Sequence, residues 1–121
     1  MTVFLGLCAL LLKVAGFVFL FAAALGVMRF KDPLQRMHAA TKAGTMGAGL
    51  TVAGAALARG DGLSLGIAAL TILFLIFTVP VAGHLLGRAI YVSGAPLLGM
   101  KAEDPLEGVL PRQARHDDES P

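Results

Sequence analysis

"DPLQRMHAATKAGTMGAG", Asp32 to Gly49, opens like the helix of a soluble protein and closes like one buried in lipid. Asp32, Pro33 and Gln35 read as an N-cap, a first-turn proline and a capping-box partner, so a helix starts here. Arg36, His38 and Lys42 follow in its first turns, where the positive end of the helix dipole opposes each by up to about 1 kcal/mol. From Ala43 to Ala58 the residues turn small and apolar. A basic entrance to an apolar helix fits the boundary between water and hydrocarbon, and it suggests a membrane fold.

The flanks agree. Val3 to Met28 is apolar apart from Lys13, and Leu63 to Leu86 is apolar apart from a few polar positions, Pro80 and His84 foremost. About 20 helical residues cross a bilayer core, so the first and third segments qualify, and the second does if its helix starts near Pro33. Hydrophobic residues make up 56% of the 121, charged residues 15%, and mean hydropathy is +0.76, outside the balance of a soluble domain. The expected fold is an all-α integral membrane protein with three transmembrane helices, near 3–28, 33–58 and 63–92, forming one domain over 1–92. Residues 93–121 read as a flexible cytoplasmic tail, since beyond Gly99 they carry three Lys/Arg against six Asp/Glu.

Arg29, Lys31, Arg36 and Lys42 cluster between the first two helices, Arg59 stands alone between the second and third, and Arg88 and Lys101 follow the third. The positive-inside rule puts that first connection and the C-terminus in the cytoplasm and the N-terminus outside. A cleaved signal peptide is the alternative for the first segment, but no charge precedes it and Lys13 interrupts it. The cations form no basic run with interleaved aromatics, which argues against nucleic acid. Cys8 is the only cysteine, so no internal disulfide forms, and the sequence suggests no metal site, cofactor or catalytic residue. Arg59-Gly60-Asp61 reads as turn chemistry, with Asp61 or Ser64 capping the third helix.

At 3.6 residues per turn His38, Thr41, Lys42 and Thr45 share one polar face of the second helix. Ala40, Gly44, Gly47, Thr51, Gly54 and Ala58 form a seam of small residues opposite, where another helix can approach, with Gly44, Gly47 and Gly54 at its centre. Two readings of His38 and Lys42 stay open, contact with an acidic or hydrated surface of a partner subunit and snorkelling to the interface. In the third helix Pro80 leaves the Ile76 carbonyl without its helical donor, and Ile76, Pro80, His84 and Arg88 follow at intervals of four, below Thr78 and Tyr91. Either Thr78 or a neighbouring helix satisfies this kink, or the stripe lines a hydrated path. Lys13 lies mid-span at a cost of about 2.5 to 3.5 kcal/mol unless paired, and no Asp or Glu lies within any of the apolar spans. Cation/proton exchange needs an embedded group that takes a cation and a proton in turn, and carboxylates suit that role. This chain alone is not expected to exchange ions.

"RFKDPLQRMHAATKAGTMG" (Arg29 to Gly47) and "TVPVAGHLLGRAIY" (Thr78 to Tyr91) resemble the two signature stretches of the G subunit of the multisubunit monovalent cation/proton antiporter, the Mrp, Mnh or Pha type. The resemblance covers most of Val3 to Tyr91 and departs at Lys13, Lys31, Pro33 and Val79, the last standing where the family usually has asparagine. It implies a multi-pass accessory subunit of the bacterial plasma membrane, partnered by other membrane subunits and lipids, in a complex that exchanges sodium or another monovalent cation for protons. Arg29, Asp32, Arg36, His38, Thr41 and Lys42 match the first signature, and Thr78, Pro80, His84, Arg88 and Tyr91 the second. His38, Thr41, Lys42, Thr45, Thr78, Pro80, His84 and Arg88 are thus the transport-related candidates. The rival readings are a purely structural scaffold subunit and a homo-oligomeric ion pore; a membrane enzyme lacks any supporting nucleophile, carboxylate pair or ligand spacing.

Overall fold

The structure, a computed structural model, describes residues 2–95, 97 and 106–113. Helix α1 spans Thr2–Arg29, α2 Pro33–His38, α3 Gly44–Arg59 and α4 Gly62–Val92, and no strand occurs among the described residues. Ala39–Ala43, between α2 and α3, form a π-helical turn, so the second helical run is continuous but not uniform.

Side chains set the helix starts. Asp32 is extended, at φ −82° and ψ 125°, and its Oδ1 accepts the Leu34 amide at 2.9 Å, while Pro33 occupies a position whose N–H has no helical partner anyway. The expected capping box does not close. Gln35 is exposed and its side chain makes no hydrogen bond among the described residues. At the other end Gly60 adopts a left-handed φ of 69° and its amide reaches the Ala56 carbonyl at 3.1 Å, which stops α3. Asp61 then starts α4 by accepting the Ser64 amide and hydroxyl, each at 2.8 Å, and Arg59 Nε lies 3.2 Å from its Oδ2. Arg-Gly-Asp here is a helix stop joined to a helix start.

The interior is built from small residues. Ala9, Gly16 and Ala23 on α1, Gly47, Gly54 and Ala56 on α3 and Ala68 on α4 are buried, whereas Phe17, Phe21, Leu70, Phe74 and Phe77 stand 58–68% exposed. A soluble domain places large apolar side chains inside; a helix bundle in lipid gains nothing by that and packs small residues so that backbones can approach. α1 lies along α3 and the π turn, and α4 rests on α3 and touches α2.

Among the described residues two helices are long and apolar enough to cross a membrane, Val3–Arg29 with 27 residues and Gly62–Val92 with 31. The middle segment, expected as a third, does not meet that measure. The π turn leaves α3 at 16 residues, and the Gly, Ala and Thr that fit it for close packing lower its apolarity. Of the expected tail, residues 96, 98–105 and 114–121 lie outside the described ones. Leu106–Leu110 form turns, Gln113 donates its amide to the Val92 carbonyl at 3.0 Å, and Arg112 bonds the Ala95 carbonyl at 2.9 Å and lies 5.4 Å from the Tyr91 ring centre. This part of the tail folds back on the end of α4.

Candidate functional site

The π turn falls inside the basic stretch and changes which residues share a face. A hydrogen bond from i to i+5 inserts one residue into the turn and rotates everything upstream by about 100° relative to a straight helix. Ala39, not Ala40, therefore meets α1: a Cβ built on Gly26 would lie 2.6 Å from the Ala39 Cβ, and Ala40 is exposed. Gly44 has nothing within 4 Å of where its Cβ would be. Below the turn a Cβ on Gly47 would lie 2.8 Å from Gly16 O and Leu20 N, and one on Gly54 2.8 Å from Ala9 O and 2.9 Å from Lys13 Cγ. The seam against α1 thus runs through Ala39, Gly47, Thr51 and Gly54, and the expected Ala40, Gly44 and Ala58 stand off it.

The same turn holds the expected polar face. Thr41 Oγ1 donates to the Met37 carbonyl at 2.9 Å and Thr45 Oγ1 to the Thr41 carbonyl at 2.5 Å, so both hydroxyl protons close on the helix's own backbone. The side chains of His38 and Lys42 are exposed and make no hydrogen bond or ion pair among the described residues. With Phe30, Leu34, Gln35 and Ala39, His38 lines an open apolar groove of about 380 Å³. The basic groups, not the hydroxyls, are what this segment presents outward.

On α4 Thr78, Pro80, His84 and Arg88 are all exposed, and the helix continues through Pro80 to Val92. Thr78 donates its hydroxyl to the Phe74 carbonyl, and no described side chain donates to the Ile76 carbonyl, so Thr78 is not the donor that compensates the proline. The side chains of His84 and Arg88 have no hydrogen-bond or ionic partner among the described residues. α2 and α4 meet one turn further on, where the Met37 methyl would lie 3.7 Å from a Cβ on Gly87. Beside that contact Val27, Pro33, Arg36, Leu86 and Ile90 border a groove of about 260 Å³. Asp32 and Asp61, the two acids at helix starts, are spent on caps. Asp61, outside the spans, has its carboxyl held below its ordinary 3.8, first by the Ser64 amide and then by the Ser64 hydroxyl; desolvation opposes them, and Arg59 adds a lesser lowering. No group of three or more His, Cys, Asp and Glu suited to a metal occurs among the described residues.

Residues 12–91 match the family described as Na+/H+ antiporter subunit, PhaG, MnhG and YufB, a range that contains the small-residue seam below the π turn and both polar constellations. The chain belongs to this family. The G-type subunit of the Na+/H+ antiporter of Alkalihalophilus pseudofirmus is 35% identical over 107 residues, covering 84% of this chain and 87% of that one. Among solved structures, a chain of the Mrp complex from Dietzia superposes with a TM-score of 0.79 at 20% identity, over 87% of this chain and 95% of that one, a likeness of fold. A chain of the membrane-bound sulfane sulfur reductase, an archaeal respiratory membrane complex, superposes at 0.76 with 34% identity, over 85% and 96%. As a member of an antiporter subunit family with two helices long and apolar enough to cross a membrane, this is a membrane protein and a subunit of an ion-transport system.

Several residues that shape the family fold here lay outside the expected set. Gly16 and Gly26 supply the α1 side of the seam, and the sequence carried a signal for the first: Ala9, Gly16 and Ala23 recur every seven residues and are all buried. No local pattern marked the π turn, whose Ala-Ala-Thr-Lys-Ala composition suits an ordinary helix. Tyr91, buried under Arg112, is held by a residue 21 positions further on.

Proposed function

We propose that the chain is a small accessory subunit of a multisubunit monovalent cation/proton antiporter. It spans the bacterial plasma membrane three times, with the N-terminus outside and the C-terminus cytoplasmic, and the complex needs it for assembly. The run Pro33–Arg59 is the third span, carried across by its continuity through the π turn and shielded on one side by α1. The exposed His38, Lys42, His84 and Arg88 border the cation route, beside carboxylates that other subunits supply.

One observation carries this reading. Asp32 and Asp61, the two acids ahead of Gly99, stand at helix starts and are both engaged as caps, so no apolar span holds a carboxylate that could take a cation and a proton in turn. In vesicles lacking other antiporters the chain alone gives no sodium-dependent proton movement, and leaving it out of the complete set of subunits abolishes or impairs exchange. Coupled exchange by the isolated chain would refute the accessory role.

A purely structural role has its own support. Thr41, Thr45, Thr51, Thr71 and Thr78 all donate their hydroxyl protons to carbonyls of their own helix, an arrangement that helix packing alone accounts for. The likeness to a chain of a respiratory complex also suits a body that different assemblies share. Replacing His84 with Gln and Pro80 with Ala separates the two. Altered exchange rates in a fully assembled complex mark the route, and unchanged rates mark the scaffold.

A further inference from the structure

We propose that the groove lined by Lys13, Val14, Phe17, Leu20 and Thr51 docks a transmembrane helix of a partner subunit that presents an aspartate or glutamate to the Lys13 ammonium. The inference rests on the chain being a membrane-embedded subunit of a larger complex. The groove runs beside the α1 and α3 seam, has a volume of about 360 Å³, and is apolar except for Lys13 and Thr51.

Depth comes first. Lys13 lies three residues from the middle of the 27-residue span Val3–Arg29, about 4.5 Å along the axis. The edge of the hydrocarbon is then about 10 Å away, more than the roughly 6 Å that a lysine stem covers. The stem is also held in place. Its Cγ sits 2.9 Å from where a Cβ on Gly54 would be, so it lies over an α3 residue without a side chain, against the flank of the groove.

The ammonium has no partner at hand. The Lys13 side chain makes no hydrogen bond or ion pair among the described residues. Thr51 donates its proton to the Gly47 carbonyl at 2.8 Å and presents no charge. Asp32 and Asp61 cap helices at the ends of the bundle, and the remaining six acids follow Gly99. A second copy of this chain would bring another lysine to the same depth and no acid, and an anionic lipid headgroup lies beyond reach. What fits is an apolar helix, to cover the exposed Val14 and Phe17, with one carboxylate level with Lys13.

A photoreactive benzoylphenylalanine at Phe17, and separately at Val14, in the complete complex in native membranes tests this with Lys13 intact. The expected adduct is an apolar segment of another subunit with Asp or Glu within one turn of the attachment point. Adducts with lipid only, with a second copy, or with a segment lacking a carboxylate overturn it. Lys13→Met should retain at least tenfold less partner after detergent extraction and Lys13→Arg nearly as much as the wild type; equal retention by Lys13→Met overturns the proposal. Were the Met variant lost from the membrane, the cross-link decides alone. A native gel of the wild type separates the two levels: a chain migrating by itself removes the subunit reading, whereas migration in the complex without the expected adduct removes only this one.

Discussion

Gly47→Ala probes a close backbone approach between α1 and α3. The added Cβ would stand 2.8 Å from Gly16 O, Leu20 N and Leu20 Cγ, and the first two are backbone atoms that no rotamer change can move. Ordinary contact needs about 3.4 Å or more, so α1 must retreat by roughly 0.6 Å along the seam. Overpacking of this kind costs about 1–3 kcal/mol, offset by the roughly 1 kcal/mol that alanine gains over glycine in a helix. Gly44→Ala supplies the comparison, because it makes the same chemical change one turn away with nothing within 4 Å. The propensity gain cancels between the two, and the difference isolates the steric cost, which should reach about 2 kcal/mol, a roughly thirtyfold change in the unfolding equilibrium. Titrating each purified variant with a denaturing detergent, and following helix separation by energy transfer between labels on α1 and α3, measures it. Gly16→Ala on the facing helix should be subadditive with Gly47→Ala, since either one displaces α1 in the same direction. A difference below about 0.5 kcal/mol between Gly47→Ala and Gly44→Ala would refute both the close approach and the rotation that the π turn imposes.

Three more outcomes are expected. Asp32→Ala removes the acceptor of the Leu34 amide and should destabilise the start of α2 by about 1 kcal/mol, seen as faster amide exchange at Leu34, while Asp32→Asn should be nearly neutral. Asp61 is held in its charged form when folded, so its contribution is fully present above 3.8 and is lost as pH falls through the lower folded value; a Ser64 amide shift titrating with a midpoint at or above 3.8 contradicts the cap. Arg112→Ala removes the bond to the Ala95 carbonyl and the guanidinium over Tyr91, and should speed cleavage after Glu107 by a glutamate-specific protease roughly tenfold with α1 and α3 unaffected.

How far the sequence reveals this fold depends on whether a feature is local. Asp32-Pro33 and Gly60-Asp61 mark helix ends because the groups they satisfy lie within four residues, and such signals need no knowledge of the rest of the chain. Gly47 and Gly54 are legible as seam residues for a related reason: they lie on the regular stretch below the π turn, where a period of 3.6 holds. Ala40 and Gly44 fall off the seam because that period fails between Ala39 and Ala43. The failure is invisible in the composition of the turn. A wide turn is chosen when tertiary contact outweighs regular hydrogen bonding, and here Ala39 meets Gly26 of α1. The polar face departs from its spacing for a different reason. Spacing places Thr41 and Thr45 beside His38 and Lys42, but a threonine on a helix can spend its proton on its own backbone, and both do.

What remains on the outer surface of the helices after those hydroxyls are spent is basic. Lys13 lies near mid-depth, His38 and Lys42 at the π turn, and His84 and Arg88 on the last turns of α4, while the acids are drawn to helix starts and to the segment beyond Gly99. Buried cations without acids are unstable neighbours for one another and for a second copy of the same chain, so repulsion disfavours a homo-oligomeric ring at the depth of Lys13. The same arrangement favours surfaces of opposite sign. Small residues set how closely the chain's own helices approach, and the bases left without a side-chain partner among the described residues are what the proposed neighbours would have to match.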